Sequence, residues 1–162
     1  MPTKQGHSLS RFRFQSKPVN AMNWQHAKPF IIEHKVNADE IDHLNHVNNK
    51  VYLQWMEHIS WQHSLAVGID FDLMQQLGKV MVIAQHEMNF RAGCYLDDEL
   101  LIGSWVEAPS SAKKRMRYYQ IIRNSDQKTV FTGHTLWVCM DLETHKSCPI
   151  PKEFIDAYQE QY

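Results

Sequence analysis

The residues best suited to chemistry lie in the stretch 41–57, IDHLNHVNNKVYLQWME, where an acid, histidines and asparagines fall within eight residues. Asp42 can act as a general base or as a nucleophile. Asn48 and Asn49 come just before an apolar helical pattern, and the unpaired amides at a helix start favour developing negative charge. A carboxylate on the loop that enters such a helix can therefore act on a carbonyl that these amides polarise.

The second half of this stretch predicts a long helix. Apolar residues recur at spacings of one, three and four from Val51 to Val67, and Gly68 is typical of a helix end. About 17 residues at 1.5 Å each give a rod of roughly 25 Å, which is long for a domain of this size. We expect this helix to be central and to be capped by the asparagines before it.

The remaining pattern predicts strands. Alternating apolar residues indicate strands over 29–36, 79–91, 99–107, 115–123 and 129–140, with a helical turn in 70–78 and a short helix near the C-terminus. The last four strands in hairpin succession would form an antiparallel meander whose apolar face packs on the long helix. The pattern alone thus predicts an α+β domain with a sheet wrapped on a helix.

Composition narrows the class of protein. The 162 residues are 43% hydrophobic, which suits one domain with a real core, and the net charge of −1 gives no general attraction to nucleic acid or anionic membrane. No apolar run approaches the roughly 18 residues of a membrane span. Cys94, Cys139 and Cys148 form no CxxC pair, so we expect inert thiols in a reducing, cytoplasmic compartment.

The N-terminal residues 1–28 are predicted to be an extension of the domain 29–162. They are basic and contain no acid, which is compatible with an organellar transit peptide, although a loose tail or a true start at Met22 is the favoured interpretation.

The stretch DHLNHVNNKVYLQWME, with Asp42, HVNN at 46–49 and Tyr52 ten residues after the acid, resembles the hotdog-fold acyl-CoA thioesterases of the 4-hydroxybenzoyl-CoA thioesterase type. The HVNN segment is also similar to that of plant acyl-carrier-protein thioesterases. The resemblance, over residues 29–151, implies a long central helix wrapped by a five-stranded antiparallel sheet. It also implies a homodimer or homotetramer with sites between subunits, and no cofactor apart from the coenzyme A of the substrate.

The resemblance implies that Asp42 is the general base or nucleophile and that the Asn49 amide polarises the thioester carbonyl. Many relatives have Gly where this chain has Asn45, and the plant enzymes have a further Asn where it has Leu44. The role of His46 therefore stays open between acid–base chemistry and a bond to the backbone.

Other residues are candidates with alternatives. Glu57, two turns beyond Asn49, is a second candidate acid or an ordinary solvated one. Asn48 and Tyr52 are predicted to contact the substrate, and Trp55, Met56 and Trp61 either shape its pocket or pack in the core. In the basic run 110–117, Lys113, Lys114 and Arg115 are predicted to bind the phosphates of the coenzyme A nucleotide or to form a solvated face. His43 and His46 lack the companions of a zinc motif, so no metal is predicted.

We predict hydrolysis of an acyl thioester, with acyl-CoA as the favoured substrate. The sequence has no GxSxG nucleophile elbow, which counts against an α/β-hydrolase. The alternatives are an acyl-carrier-protein thioesterase and a non-catalytic acyl-CoA-binding protein. A hotdog hydratase is disfavoured, because it would place its His five residues after the Asp, and His46 is four residues after Asp42.

Overall fold

The computed structural model describes residues 22–162. Its helices are α1 (Asn49–Ala66), α2 (Phe71–Leu77) and α3 (Lys152–Asp156), and its strands are β1 (Phe30–Lys35), β2 (Lys79–Phe90), β3 (Glu99–Val106), β4 (Lys114–Arg123) and β5 (Thr129–Asp141). Short 3-10 turns cover Ala38–Glu40 and Gln159–Gln161. Residues 1–21 of the predicted extension, and with them the transit-peptide interpretation, lie outside the described residues.

The long central helix is confirmed, with 18 residues. The Asn48 side chain caps its start by accepting a hydrogen bond from the amide of Lys50. At the other end the chain leaves the helix through Gly68, whose φ of +83° costs a glycine little. Seven residues of α1 are buried, which places its apolar stripe against the sheet.

The five strands form one antiparallel sheet in the order β1-β3-β4-β5-β2. The hotdog plan of a long helix wrapped by a five-stranded sheet is thus confirmed, but the predicted meander of four strands is wrong at one connection. β2 pairs with β5, not with β3. The segment 91–98 looks like a hairpin turn in sequence, yet it crosses the end of the sheet: the amide of Arg91 bonds Val130, whereas that of Asp97 bonds Val36 beyond β1.

The core lies between α1 and the inner face of the sheet. On the helix Tyr52, Trp55, Met56 and Ile59 are buried, and opposite them lie Leu100, Ile102, Tyr119, Ile121 and Phe131. Each fully buried side chain of this size contributes about 1.5–3 kcal/mol of transfer free energy. The contact between the helix and the sheet is therefore the main stabilising interface of the domain.

Residues 22–28, which the sequence assigned to the extension, cover part of the outer face of the sheet. The indole of Trp24 lies over Gly103, where a Cβ would come within 2.4 Å of its ring. His26 stacks on Trp105 with ring centroids 5.5 Å apart, and the Gln120 side chain bonds the main chain of this segment. This segment is therefore packed on the domain. Within residues 22–162 no helix has the length and apolar character that crossing a bilayer requires.

Candidate active site

The loop that enters α1 is held in a closed shape. Ile41 and Val47 form an antiparallel bridge, so the residues between them project as a short loop that carries Asp42 and His46. The amide of Val47 donates to the carbonyl of Cys94 at 2.8 Å, on the segment that crosses the end of the sheet. The crossing segment thus fixes the loop beside the helix start.

Asn45 gives this loop its turn. Its φ is +63°, in the left-handed region that few residues other than Gly and Asn adopt readily. The glycine expected here from the resemblance and the asparagine found here satisfy the same backbone requirement. The departure at this position therefore leaves the loop geometry intact.

Glu40 connects the loop to β1 and α1 through contacts that the sequence analysis missed. Its Oε1 accepts a hydrogen bond from the indole of Trp55 on α1 at 2.9 Å, and its Oε2 lies 2.9 Å from Nε2 of His34 on β1. Oε2 also accepts from the amide of Asn37 at 3.0 Å, which completes a capping box. An Asn followed three residues later by Glu is the signal that identifies such a box in sequence.

Asp42 lies at the base of the loop with a largely buried side chain, 14% exposed. Its Oδ1 accepts a hydrogen bond from the amide of Leu44 at 2.8 Å, so the carboxylate does serve the turn. Oδ2 accepts no hydrogen bond from any residue in 22–162. One carboxylate oxygen is therefore fixed by the loop and the other is available to a ligand or water.

His46 lies across the loop from this carboxylate. Its Nδ1 is 3.7 Å from Oδ1 of Asp42 and 3.3 Å from the carbonyl oxygen of Val47, to which it donates. The ring therefore carries a proton on Nδ1 and is bound to the backbone. Of the two roles left open for His46, this geometry favours the backbone bond.

The start of α1 supplies donors next to this loop. Asn48 caps the Lys50 amide, whereas the amide of Asn49 donates to no acceptor among the described residues. Asn49 is also exposed. Because the helix dipole concentrates partial positive charge at this end, an oxygen with developing negative charge is favoured there. The structure thus places Asp42 and His46 on one loop, and Asn48 and Asn49 at the helix start that follows it.

Tyr52 is buried in the core behind the helix start and is not exposed at its surface. It is 3% exposed and packs among the rings of Trp55, Phe90 and Phe131. Burial raises the pKa of its hydroxyl, with Cys94 beside it. One helical turn from Asn48, Tyr52 thus lies on the core face of α1, and its contact with the substrate stays a prediction.

The predicted basic run is divided by the sheet. Lys113 and Lys114 are exposed, as a phosphate contact needs, but Arg115 and Arg117 are only 4% and 5% exposed. Successive residues of a strand point to opposite faces, and Arg115 and Arg117 share the inner face with Tyr119. Arg115 is therefore not part of a solvated face, and its contact with the phosphates of the coenzyme A nucleotide stays a prediction. The signal was present, because these arginines alternate in step with core residues.

A cavity of about 330 Å³ lies beside the C-terminal half of α1. Its lining includes Trp61, Ile69, Met74, Met81, Trp137 and Phe154, and also Glu57, Arg115 and Arg117. Glu57 is eight residues from Asn49, or roughly 12 Å along the helix. Within one chain the second candidate acid therefore belongs to this cavity and not to the Asp42 loop. Of the three predicted pocket residues, Trp61 lines the cavity, whereas Trp55 and Met56 are in the core.

Cys139 and Cys148 are free thiols whose sulfurs lie 3.5 Å apart, a contact that the sequence did not predict.

No group of three or more His, Cys, Asp or Glu side chains in residues 22–162 is arranged to hold a metal ion.

The fold and the acid-bearing loop at the helix start define a hotdog protein of the thioesterase class. Residues 36–158 match the model of the thioesterase-like superfamily. The chain belongs to this family, as the HVNN segment predicted, and it is a thioester hydrolase by class.

Known proteins with similar sequence carry related activities. The long-chain acyl-CoA thioesterase FadM of Escherichia coli is 25% identical over 126 residues, which cover 78% of this chain and 94% of that protein. A chloroplastic acyl-acyl carrier protein thioesterase of Arabidopsis thaliana is 23% identical over 110 residues, 68% of this chain and 57% of the plant protein.

Solved structures share the fold. That of a 1,4-dihydroxy-2-naphthoyl-CoA thioesterase from Synechocystis superposes with a TM-score of 0.74 at 19% identity, covering 82% of this chain and 97% of that one.

Proposed function

We propose that this protein hydrolyses acyl-CoA thioesters at the Asp42 loop. Two observations carry the proposal: Oδ2 of Asp42 and the amide of Asn49 each lack a hydrogen-bond partner in residues 22–162, and they lie on a fixed loop and on the helix start that follows it. The FadM relative, whose name gives long-chain acyl-CoA as its substrate, supports coenzyme A as the carrier.

The chemistry follows from the two groups. The thioester oxygen accepts a hydrogen bond from the Asn49 amide, which makes the carbonyl carbon more electrophilic and stabilises the oxyanion that forms on attack. Asp42 either removes a proton from the attacking water or attacks the carbon itself to give a mixed anhydride, which water then hydrolyses. Both routes consume one water and release the carboxylic acid and the coenzyme A thiol. No further cofactor is required.

The two routes differ in the origin of one oxygen atom. In a single turnover in ¹⁸O-labelled water with enzyme in excess, general-base catalysis leaves the protein unlabelled. Attack by Asp42, followed by hydrolysis at the aspartyl carbon, places ¹⁸O in the Asp42 carboxylate. Mass spectrometry of the peptide that contains residue 42 separates these outcomes.

We also propose that the active unit is a homodimer formed through β2, or a homotetramer made of two such dimers. β2 is a 12-residue strand at the edge of the sheet, and none of its residues is buried. A long edge strand exposes unpaired backbone groups that a second copy can satisfy. The exposed side chains of Ile83 and Phe90 on this strand are consistent with such an interface. The cytoplasmic location stays a prediction.

Hydrolysis of acyl-carrier-protein thioesters is the second candidate, because the HVNN segment and the Arabidopsis relative both point to that carrier. Release of free thiol from matched acyl-CoA and acyl-carrier-protein substrates, with short, long and aromatic acyl groups, tests both. Turnover of the acyl-CoA set supports the proposal, and turnover of the carrier-protein set alone supports the alternative. Intact ligand that stays bound without thiol release identifies a binding protein.

A further inference from the structure

Two buried arginines on β4 line the cavity beside α1 and have no acidic partner. Arg115 and Arg117 are 4% and 5% exposed. Neither guanidinium lies within 4 Å of a carboxylate of residues 22–162. Buried charges in proteins are normally paired, because removing a charge from water is costly. A pair of unneutralised cations in one cavity wall therefore needs an explanation.

The partners of Arg117 are all neutral. It donates to Nδ1 of His63 at 2.9 Å, to the Ser104 hydroxyl at 3.1 Å and to the Tyr158 hydroxyl at 2.8 Å. A guanidinium has no acceptor, so Nδ1 of His63 must be unprotonated. Burial and the neighbouring Arg117 charge lower the pKa of His63 to about 3, which keeps the ring neutral. These bonds use three of the five N–H donors of Arg117 and leave its charge in place.

Arg115 is less well satisfied. It donates to the Phe154 carbonyl at 2.8 Å and to the Tyr162 hydroxyl, and it lies over the rings of Tyr158 and Tyr162. Its Nε is buried and meets no hydrogen-bond acceptor among the described residues. Burial and the nearby Arg117 both lower the pKa of Arg115, as expected where cations lie together without an anion. The wall of the cavity thus holds two positive charges and a buried nitrogen, Nε of Arg115, that has no hydrogen-bond acceptor in residues 22–162.

Most of the other lining residues are apolar. Trp61, Met81 and Trp137 are among its lining residues, and its volume of about 330 Å³ is in the range of small-molecule sites. Glu57 also lines it but is exposed and forms no ion pair with either arginine. A ligand that matches this surface carries one anionic, hydrogen-bond-accepting group on a hydrocarbon body.

We propose that this cavity binds an apolar carboxylate, with the carboxylate on Arg115 and Arg117 and the hydrocarbon against the tryptophans. Arginine recognises carboxylates through charge-assisted hydrogen bonds. Two sources share this chemistry: a free carboxylic acid, and the far end of an acyl group that bears a second carboxylate. The site stands on its own evidence, because the residues that carry it lie beside the C-terminal half of α1 and outside the Asp42 loop.

The test is a titration of the full chain with octanoate, decanoate and dodecanoate and with the alcohols of equal length, followed by tryptophan fluorescence and calorimetry. We expect each acid to bind at least tenfold more tightly than its alcohol. Arg115→Met should remove this difference and leave the affinity for the alcohol unchanged. Lys114→Met, which removes the adjacent but exposed cation, should leave both affinities unchanged.

Met74→Trp, which fills the cavity from α2, should weaken acid and alcohol alike and remains informative if Arg115→Met does not fold. Equal affinity for acid and alcohol, no binding at all, or an unchanged acid affinity in folded Arg115→Met overturns the proposal.

Thiol release from an acyl-CoA with a terminal carboxylate, compared with release from the plain acyl-CoA, distinguishes the two sources of the carboxylate. Faster release from the carboxylate-bearing acyl-CoA, abolished by Arg115→Met, identifies the far end of the acyl group as the ligand. Equal release from both substrates, together with binding of the free acids, identifies the free carboxylic acid. If the wild-type protein binds the acids but hydrolyses no acyl-CoA, only the proposed function is refuted.

Discussion

The indole nitrogen of Trp55 on α1 donates a hydrogen bond of 2.9 Å to Glu40, two residues before Asp42. Glu40 is also bound by His34 on β1, and its backbone carbonyl accepts from the Asn48 amide at 2.9 Å. This carboxylate therefore joins the first strand, the loop and the helix start. It holds the geometry of the site without belonging to the reacting groups.

Trp55→Phe keeps an aromatic ring but removes this donor. We expect a loss of stability of about 1–3 kcal/mol, because the Glu40 carboxylate loses a bond in a mostly buried place. We expect kcat to fall while KM changes little, since the loop loses its position rather than a substrate contact. Chemical unfolding and steady-state kinetics measure the two effects. Trp105→Phe on the outer face is the control, and an equal fall in kcat there would refute the positioning role.

Asp42→Asn removes the charge but keeps the size of the side chain and its ability to accept from Leu44. If Asp42 is the base or nucleophile, kcat should fall about 10²- to 10⁴-fold, with oligomeric state unchanged in gel filtration. Asp39→Asn, in the 3-10 turn just before the loop, is the matched control and should retain full activity. Comparable rates for the two variants would remove Asp42 from the mechanism.

The φ of +63° at Asn45 predicts which residues this loop accepts. Asn45→Gly should be nearly neutral in stability, whereas Asn45→Val should cost about 1–3 kcal/mol, because a β-branched residue is strained in the left-handed region. Asn89→Val, at an exposed strand position, is the control and should be tolerated. The free energy of unfolding measured in urea gives all three values, and a stable Asn45→Val variant would contradict the assigned conformation.

The buried His63 should make the folded protein less stable at acid pH. Burial and Arg117 lower its pKa from 6.5 to about 3 in the folded state. Between these values the unfolded chain binds a proton that the folded chain does not, so stability is full above about pH 6.5 and falls as the pH drops toward 3. The slope from this residue is at most about 1.4 kcal/mol per pH unit.

Urea unfolding of wild type and of His63→Gln from pH 3.5 to 7 measures this slope by difference. The variant should show a flatter profile, because glutamine can still accept from Arg117 and does not titrate. His58→Gln, on the exposed side of the same helix, should leave the profile unchanged. Parallel profiles for wild type and His63→Gln would contradict the prediction, because they would mean that His63 binds a proton as readily in the folded chain as in the unfolded chain.

Gly103 tests whether residues 22–28 belong to the folded domain. A Cβ at this position would lie 2.4 Å from the Trp24 ring, so Gly103→Ala must displace the indole and should cost about 1–3 kcal/mol. In a Trp24→Ala background the same substitution should cost much less. A double-mutant cycle on the free energy of unfolding measures this coupling, and its absence would mean that Trp24 does not pack on the sheet in solution.

Local sequence patterns were sufficient to predict the helices and strands and to indicate the family. The spacing from Val51 to Val67 fixed α1, alternation fixed the five strands, and Asp42 with HVNN indicated the family, because each of these signals depends on neighbours along the chain. Asn45 is also explained locally, because its φ of +63° accounts for an asparagine at this position without any distant contact.

The order of the strands and the burial of the charges depend on contacts between distant parts of the chain, so local patterns could not predict them. The pairing of β2 with β5, the inward direction of Arg115 and Arg117, and the bond between Glu40 and Trp55 join residues far apart in the chain or on different elements. Local pattern assigns a strand's two faces but not the one that meets the helix. That choice is made by the packing of the whole domain, which buries the arginines together with Tyr119 and Ile121 on one face of β4.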